Sequence, residues 1–385
     1  MDERLSAQEL VALVKRVFRV GAGDRRLAVL CDLPDGPSPD HGAWHARRQM
    51  AADWAQLLAS RASELGLDDV TLWLYPNVHA DNADLPARLF AHRGGALPRD
   101  AQGLTGYGTP LDAVLASHQL VLAPTQFSTT APLKNAARTH LFRGATMPGF
   151  APVMIPALRL DYGKIAARVK LLKVLLDDAA QADFTFFALG REMRLTLDLR
   201  HRAAHESSGL FPEPGQVGNL PSGETYIVPY EGELPGDATR SAGELPVELR
   251  GEVVVYRITD NRAVGVVTDG PVARQEAAAL TAEPAYGNLA ELGLGVLDDF
   301  GLDPTGIVLL DEKLGLHIAF GRSDHFGGQV GPSRFTSRDK VVHIDRVYIP
   351  KLQPNVQVRE VTLTMAGGQK TLLMKDGRYA VRFDA

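Results

Sequence analysis

The sequence predicts an α/β protein in two parts, an N-terminal open α/β domain and a C-terminal, mostly antiparallel, strand-rich α+β domain. Three observations carry this prediction. The 385 residues exceed what one hydrophobic core normally organises, so two domains are expected. The first half alternates strand-like and helix-like patterns, whereas after about Phe184 short alternating strand patterns dominate. We therefore place the domains at residues 1–200 and 201–385.

The N-terminal half is predicted to open with a helix and to continue with a strand–helix–strand unit. Ser6 and Glu9 form a capping-box pattern before an apolar stripe from Leu10 to Phe18. RLAVLCDL (26–33) and VTLWLY (70–75) predict buried strands, with a helix between them over about 41–65. Helices are also predicted near 111–117, 133–143 and 162–179, with a strand at HQLVLAP. This order is typical of a parallel βαβ arrangement.

The C-terminal half is predicted to consist mainly of hairpins. The runs FTFFALG, MRLTLDLR, TYIVPY, GEVVVYRI and RAVGVVTDG have the composition of strands. The pairs Asp260-Asn261 and Asp376-Gly377 are typical of two-residue hairpin turns. One helix is predicted over about residues 288–300, and His201 and His205 are predicted to lie in a polar surface turn.

Composition excludes several classes of function. The 41 Lys and Arg against 46 Asp and Glu give a net charge of -5, so the chain lacks the basic field of a nucleic-acid-binding protein. No apolar run reaches 18 residues, and the polar N-terminus has no signal-peptide core, so we expect no membrane span. Cys31 is the single cysteine, which excludes an intramolecular disulfide and a four-cysteine zinc site. We expect a cytoplasmic protein.

A histidine and an aspartate near the C-terminus form a candidate ligand pair. His343 and Asp345 lie two apart in VVHIDRVYI, whose β-branched residues predict a strand, so both side chains point to one face. Together they could share one cation, although a buried histidine hydrogen-bonded to its neighbouring aspartate fits the same pattern. His317, within LGLHIAFG, has apolar neighbours, so taken alone it is predicted to be a histidine satisfied inside the core.

Two glutamates lie at positions that have both structural and chemical interpretations. Glu224, in NLPSGETYIVP, begins a predicted strand after a Pro-Ser-Gly turn. Glu291, in NLAELGLG, is an isolated acid at the start of the predicted 288–300 helix, where it would also complement the helix dipole. Taken singly, each fits an ordinary structural role.

The order of four segments changes these interpretations. The chain carries, in this order, the segments NLPSGE, NLAELGLG, DEKLGLHIAFG and HID. In these segments and their order it resembles the C-terminal half of the M29 family of thermophilic metalloaminopeptidases, of the aminopeptidase T and S type. The match is clear over about residues 218–348. By this resemblance, the metal ligands fall on Glu224, Glu291, His317, His343 and Asp345.

The resemblance implies a metal-dependent hydrolase that removes N-terminal residues from peptides with a metal-activated water. It implies two divalent ions, and the carboxylate-rich donors do not discriminate among Zn, Co, Mn and Mg. The expected substrate is a short peptide or small molecule, and the expected assembly is a homodimer. Glu312 is a candidate for proton transfer or substrate contact, although a local salt bridge with Lys313 fits the DEK pattern equally well.

One departure from the family leaves other functions open. The family carries a functional tyrosine shortly after its HIALG-like segment, whereas Asp324 and His325 occupy that region here. Either residue could handle protons instead. Alternatively, the site could serve a ring-cleaving, Fe(II)-dependent dioxygenase resembling 2,5-dihydroxypyridine dioxygenase, with His343, Asp345 and either His317 or His325 on the iron. A catalytically inactive, peptide-binding relative is the third possibility.

Overall fold

Two compact units make up the chain in a computed structural model that describes residues 3–383. The first is built from the chain up to Ala166 with Ser207–Ser222 and Thr305–Leu310, and the second from Ala167–Glu206, Gly223–Pro304 and the residues from Asp311 onward. These segments interleave, whereas the sequence predicted one boundary at residue 200, because strands late in the sequence complete sheets begun early. Met1 and Asp2, part of the predicted signal-free N-terminus, lie outside the described residues.

The helices and strands have the following bounds. The helices are α1 (Ala7–Phe18), α2 (Gly42–Ser60), α3 (Ala62–Leu65), α4 (Leu111–Ser117), α5 (Thr130–His140), α6 (Ile155–Leu158), α7 (Tyr162–Asp178), α8 (Pro271–Ala282) and α9 (Val308–Asp311). The strands are β1 (Arg26–Leu33), β2 (Asp69–Pro76), β3 (Arg88–His92), β4 (Thr109–Pro110), β5 (Leu120–Ala123), β6 (Arg143–Thr146), β7 (Ala179–Ala188), β8 (Arg191–Asp198), β9 (His205–Ser207), β10 (Val217–Asn219), β11 (Glu224–Ile227), β12 (Ala242–Leu249), β13 (Glu252–Thr259), β14 (Arg262–Val266), β15 (Leu289–Gly295), β16 (Leu316–Gly321), β17 (His343–Val347), β18 (Gln357–Met365), β19 (Lys370–Lys375) and β20 (Arg378–Tyr379).

The first unit is organised around a sheet in the order β10-β6-β5-β1-β2-β3-β4. The pairs from β10 to β2 are parallel, and β3 and β4 add an antiparallel edge. Strand β1 is buried along its length after Arg26, as expected for a central strand of a parallel sheet. Helix α2 packs against β1 and β2, and α1 packs against α2. The predicted open α/β domain is confirmed.

The second unit contains two antiparallel sheets. Eight strands follow the order β14-β13-β12-β8-β7-β18-β19-β20, and five follow the order β17-β16-β15-β11-β9. The hairpin prediction for β13 and β14 is confirmed, since Asp260 and Asn261 both adopt positive φ angles, 49° and 61°. The predicted strand-rich C-terminal part is therefore confirmed as well.

The predicted helix over residues 288–300 is wrong. Leu289–Gly295 forms strand β15, which pairs with β11 and β16 and is buried at every residue. Gly293 and Gly295 have poor helix propensity, and burial on both faces removes the amphipathic pattern that a surface helix needs. His205 likewise lies in strand β9 and not in the surface turn that was predicted for it.

Among residues 3–383, no helix combines the length and the apolar character needed to cross a membrane.

Candidate metal centre

The five predicted ligands lie on four neighbouring strands of the five-stranded sheet. Opposite residues in antiparallel strands share a face, and so do residues two apart along one strand. One cross-strand row joins Glu291, Ala319 and Asp345, and the next places His317 opposite Gly293. Glu224 stands opposite Gly295, and His343 stands opposite Gly321. The register therefore puts all five donors on the same face of the sheet, which we call the donor face.

Small residues keep this face open between the donors. Gly293, Gly295, Ala319 and Gly321 occupy the positions between them. At Gly293 the requirement is steric, because a Cβ built there would lie 1.8 Å from Nε2 of His317. The imidazole of His317 therefore lies directly over Gly293, in space that any larger residue would fill.

The donor atoms form a continuous chain of contacts. Nε2 of His317 lies 3.6 Å from Glu224 Oε2 and 3.2 Å from Glu291 Oε1. Nε2 of His343 lies 3.5 Å from Glu291 Oε2 and 3.6 Å from Asp345 Oδ1. Two groups each bring three ligand atoms within 4.8 Å of one another, Glu224–Glu291–His317 and Glu291–His343–Asp345. Glu291 belongs to both, so its carboxylate can bridge two adjacent cation positions.

The two imidazoles present their Nε2 atoms to the carboxylates because their other nitrogens are engaged. Nδ1 of His343 donates to the carbonyl oxygen of Arg322 at 2.8 Å, and Nδ1 of His317 faces that of Gly315 at 3.3 Å. A carbonyl oxygen only accepts hydrogen bonds, so these contacts assign one proton to Nδ1 and leave Nε2 as the nitrogen that can bind a cation. This arrangement is typical of histidines that bind metals.

The buried carboxylates fit a cation. Glu224 Oε2 and Asp345 Oδ1 are cut off from solvent and have no hydrogen-bond partner among residues 3–383. An unsatisfied buried charged oxygen is costly unless a counter-charge or metal neutralises it. The two oxygens lie at opposite ends of the row of donor atoms. The group Glu224–Glu291–His317 therefore contains one of them, and the group Glu291–His343–Asp345 contains the other.

Lys313 and Glu312 extend the cluster. Lys313 is 1% exposed and donates through Nζ to Glu224 Oε1 at 2.5 Å and to the carboxylate of Glu312. Burial would lower the pKa of Lys313, but Glu224 and Glu312 outweigh it and raise that pKa. Burial and, after it, the charges of Glu224 and Asp345 raise the pKa of Glu312 to about 8, although the nearby charge of Lys313 lowers it. Glu312 can therefore hold a proton near neutral pH.

The remaining groups show how strongly the carboxylates and the imidazoles of the cluster act on one another. Burial would raise the pKa of Glu291, but hydrogen bonds from His317 and His343 outweigh it and lower that pKa to about 2. Burial would lower the pKa of His317, but the surrounding carboxylates outweigh it and raise that pKa to about 9. Burial opposes the shift at His343 as well, yet Asp345 and Glu291 raise its pKa well above the ordinary value. Four carboxyl groups, including the protonatable Glu312, surround one ammonium, and the imidazoles hold protons that a divalent cation would displace.

Of the two other predicted catalytic residues, the structure brings one to the cluster. The ring of His325 lies 5.3 Å from that of His343, and burial first, then the charges of His343 and Arg322, lower its pKa to about 4. Asp324 instead accepts a hydrogen bond from Arg322 Nε at 2.5 Å. Phe326, next along the chain, packs against both histidine rings.

Tyr226 and His205 also adjoin this face, and neither is predicted from the sequence as a functional residue. The His205 ring stacks on Tyr226 at a centroid distance of 5.2 Å. The alternation that placed His343 with Asp345 could have found Tyr226, two residues after Glu224 on the same strand. Nothing in the sequence indicated His205, because its position depends on the pairing of β9 with β11.

Comparisons with known proteins identify the fold. No protein-family model matches the sequence, and no curated protein matches it. In structure, the chain is similar to 2,5-dihydroxypyridine dioxygenase from Pseudomonas putida KT2440, with a TM-score of 0.62 and 14% identity over 99% of this chain and 100% of that one. It is also similar to AmpT from Thermus thermophilus, with a TM-score of 0.55 and 16% identity over 97% and 98% of the two chains. At these identities the likeness establishes a shared fold.

Proposed function

We propose that this protein is a metal-dependent hydrolase of the aminopeptidase type. The observation that carries the proposal is the donor face, on which Glu291 lies between two imidazoles and two further carboxylates supply unsatisfied oxygens. AmpT, an M29 aminopeptidase, shares the fold over nearly the whole chain. The residues proposed to hold divalent cations are Glu224, Glu291, His317, His343 and Asp345.

The arrangement has the parts that hydrolysis needs. Divalent cations held on such donors supply Lewis acidity and lower the pKa of a bound water. The chain's own residues fix the geometry, since the carbonyls of Gly315 and Arg322 orient the two imidazoles. Glu312, held by Lys313 and able to carry a proton near neutral pH, is proposed as the group that takes and returns the proton of the attacking water.

The carboxyl groups of the cluster offer a contact for a substrate with a free amine. Without a cation, Lys313 and the protonated imidazoles balance the ionised carboxylates. Once divalent cations replace the imidazole protons, a carboxylate that they leave free can attract the α-ammonium of a short peptide. We therefore propose short peptides as substrates, and we retain the homodimer as a proposal.

A second function rests on a specific observation. His325 and His343 lie side by side, with ring centroids 5.3 Å apart, and Asp345 contacts His343. Two histidines and one carboxylate are the donors of non-haem Fe(II) oxygenases. Together with the fold shared with the dioxygenase, this pair supports an Fe(II)-dependent ring-cleaving dioxygenase as the alternative.

Metal content tests the proposal. We would measure it by inductively coupled plasma mass spectrometry in the wild type, in His343→Ala and in the control His45→Ala, whose exposed ring lies in the first unit. The proposal expects nearly two equivalents of Zn, Co or Mn, lost only in His343→Ala, together with hydrolysis of aminoacyl amides. One equivalent of iron, with oxygen uptake on a dihydroxylated aromatic substrate, would replace it with the dioxygenase. No metal after incubation with each ion would overturn both and leave a peptide-binding protein.

A further inference from the structure

Tyr226 stands on the donor face among the candidate ligands. It follows Glu224 by two residues on β11, so the two side chains point the same way. Across the sheet it pairs with Gly293, and Gly293 pairs with His317. No side chain at Gly293 therefore separates the phenol of Tyr226 from the imidazole of His317.

The hydroxyl of Tyr226 has no hydrogen-bond partner within residues 3–383, although the residue is only 8% exposed. Most other buried or partly buried tyrosines have one: the hydroxyls that donate to a carbonyl or carboxylate are those of Tyr162, Tyr230, Tyr256, Tyr286, Tyr348 and Tyr379. Tyr75 also lacks a partner, but its oxygen is cut off from solvent. The oxygen of Tyr226 is not cut off in this way, so a ligand at the donor face can reach it.

The ring of Tyr226 is held in place on two sides. His205 stacks on it with an interplanar angle of 23°, and Phe326 meets it edge-on at a centroid distance of 4.8 Å. His205 Nε2 lies 3.0 Å from the carbonyl oxygen of Phe326, so these two residues also fix each other. A phenol held in this way loses little freedom when its hydroxyl binds a partner.

The hydroxyl of Tyr226 can act as a hydrogen-bond donor at a fixed position. A tyrosine hydroxyl carries one O–H donor, and no other group among residues 3–383 engages it. The ring contacts with His205 and Phe326 set where that donor lies. Hydrogen-bond donors that are fixed in advance stabilise an oxygen on which negative charge develops more than they stabilise the uncharged substrate.

We infer, resting on the proposed hydrolase function, that Tyr226 is a catalytic residue whose hydroxyl donates a hydrogen bond to the substrate oxygen that becomes negative as water adds to the carbonyl. The phenol keeps its proton throughout, and no covalent bond to Tyr226 forms or breaks. His205 and Phe326 are positioning residues for its ring.

Tyr226→Phe tests the inference because it removes the oxygen and keeps the ring. The matched control is Tyr348→Phe, whose lost hydroxyl donates to the carbonyl of Pro246. Each zinc-loaded protein is assayed on leucine p-nitroanilide, its metal content is measured, and its binding of the tetrahedral phosphonic acid analogue of leucine is measured by calorimetry. In Tyr226→Phe we expect unchanged metal content, a kcat lower by about 100- to 1,000-fold with a smaller change in KM, and phosphonate binding weaker by about 10- to 100-fold.

The outcomes separate this inference from the proposed function. Equal phosphonate binding and equal kcat in Tyr226→Phe and Tyr348→Phe would overturn the inference while leaving the hydrolase intact. Wild-type protein that binds the phosphonate through Tyr226 but hydrolyses no aminoacyl substrate would overturn the hydrolase and keep Tyr226 as a binding residue for anionic oxygen. Wild-type protein that neither binds nor hydrolyses would overturn both.

Discussion

Gly293→Ala should abolish binding at the cation position of His317 without removing any ligand. The new Cβ would lie 1.8 Å from Nε2 and 2.2 Å from Cε1 of His317, whereas ordinary contact begins at 3.4 Å. The ring would therefore have to move by about 1.6 Å, and metal–nitrogen bonds tolerate only about 0.2 Å. The crowding should also lower the free energy of unfolding by about 1–3 kcal/mol.

Metal content and urea unfolding measure these two effects. Gly265→Ala is the control, because it introduces the same methyl group on strand β14, where nothing lies within 4 Å of the new Cβ. We expect Gly293→Ala to lose as much metal as His317→Ala, and Gly265→Ala to retain the wild-type amount. A Gly293→Ala protein with wild-type metal content would refute the steric reasoning and the assignment of His317 as a ligand.

Two further predictions concern buried charged and titratable groups. Burial lowers the pKa of His118. Below about pH 6.5 the unfolded chain therefore takes up a proton at this histidine that the folded chain does not. The free energy of unfolding should fall as the pH drops from about 6.5 toward the lowered pKa. Urea unfolding at pH 7.5 and 5.5 should show this loss in the wild type and less of it in His118→Gln; equal losses would contradict the assignment. Lys313→Met should cost about 3–5 kcal/mol, because two buried carboxylates lose their counter-charge. Added Mn should restore part of that stability, and an unchanged urea midpoint would show that the ion pairs contribute nothing.

The two candidate functions use overlapping parts of the donor face. The hydrolase uses Glu224 and His317 as well as Glu291, whereas the dioxygenase needs the His343 side with His325. Glu224→Gln therefore distinguishes the hydrolase from the dioxygenase, because it alters only the donor group Glu224–Glu291–His317, which the dioxygenase does not require. The contact of Lys313 with one Glu224 oxygen leaves the other oxygen available to a cation, which favours occupancy of both positions.

Local sequence determined the elements whose signals lie within a few residues. The capping box at Ser6 and Glu9 begins α1 as predicted, with hydrogen bonds in both directions. The Asp260-Asn261 pair turns the chain because both residues tolerate positive φ. His343 and Asp345 share a face for a similarly local reason, the two-residue period of a strand. These features need no knowledge of the rest of the fold.

The tertiary structure alone decided the pairing of distant segments. Residues 289–295 form a strand and not a helix because β11 and β16 cover both edges, and a local pattern cannot reveal its partners. The same pairing brings Glu224, Glu291 and His317 together. The separate pairing of β9 with β11 places His205 against Tyr226. The sequence by itself determined which side chains could bind a cation. It also determined which residues of one strand point to the same face, because side chains alternate along a strand. The register between strands that are far apart in the chain determined which donors meet. This register is set by hydrogen bonds between two strands, and the order of residues within a single strand does not fix it.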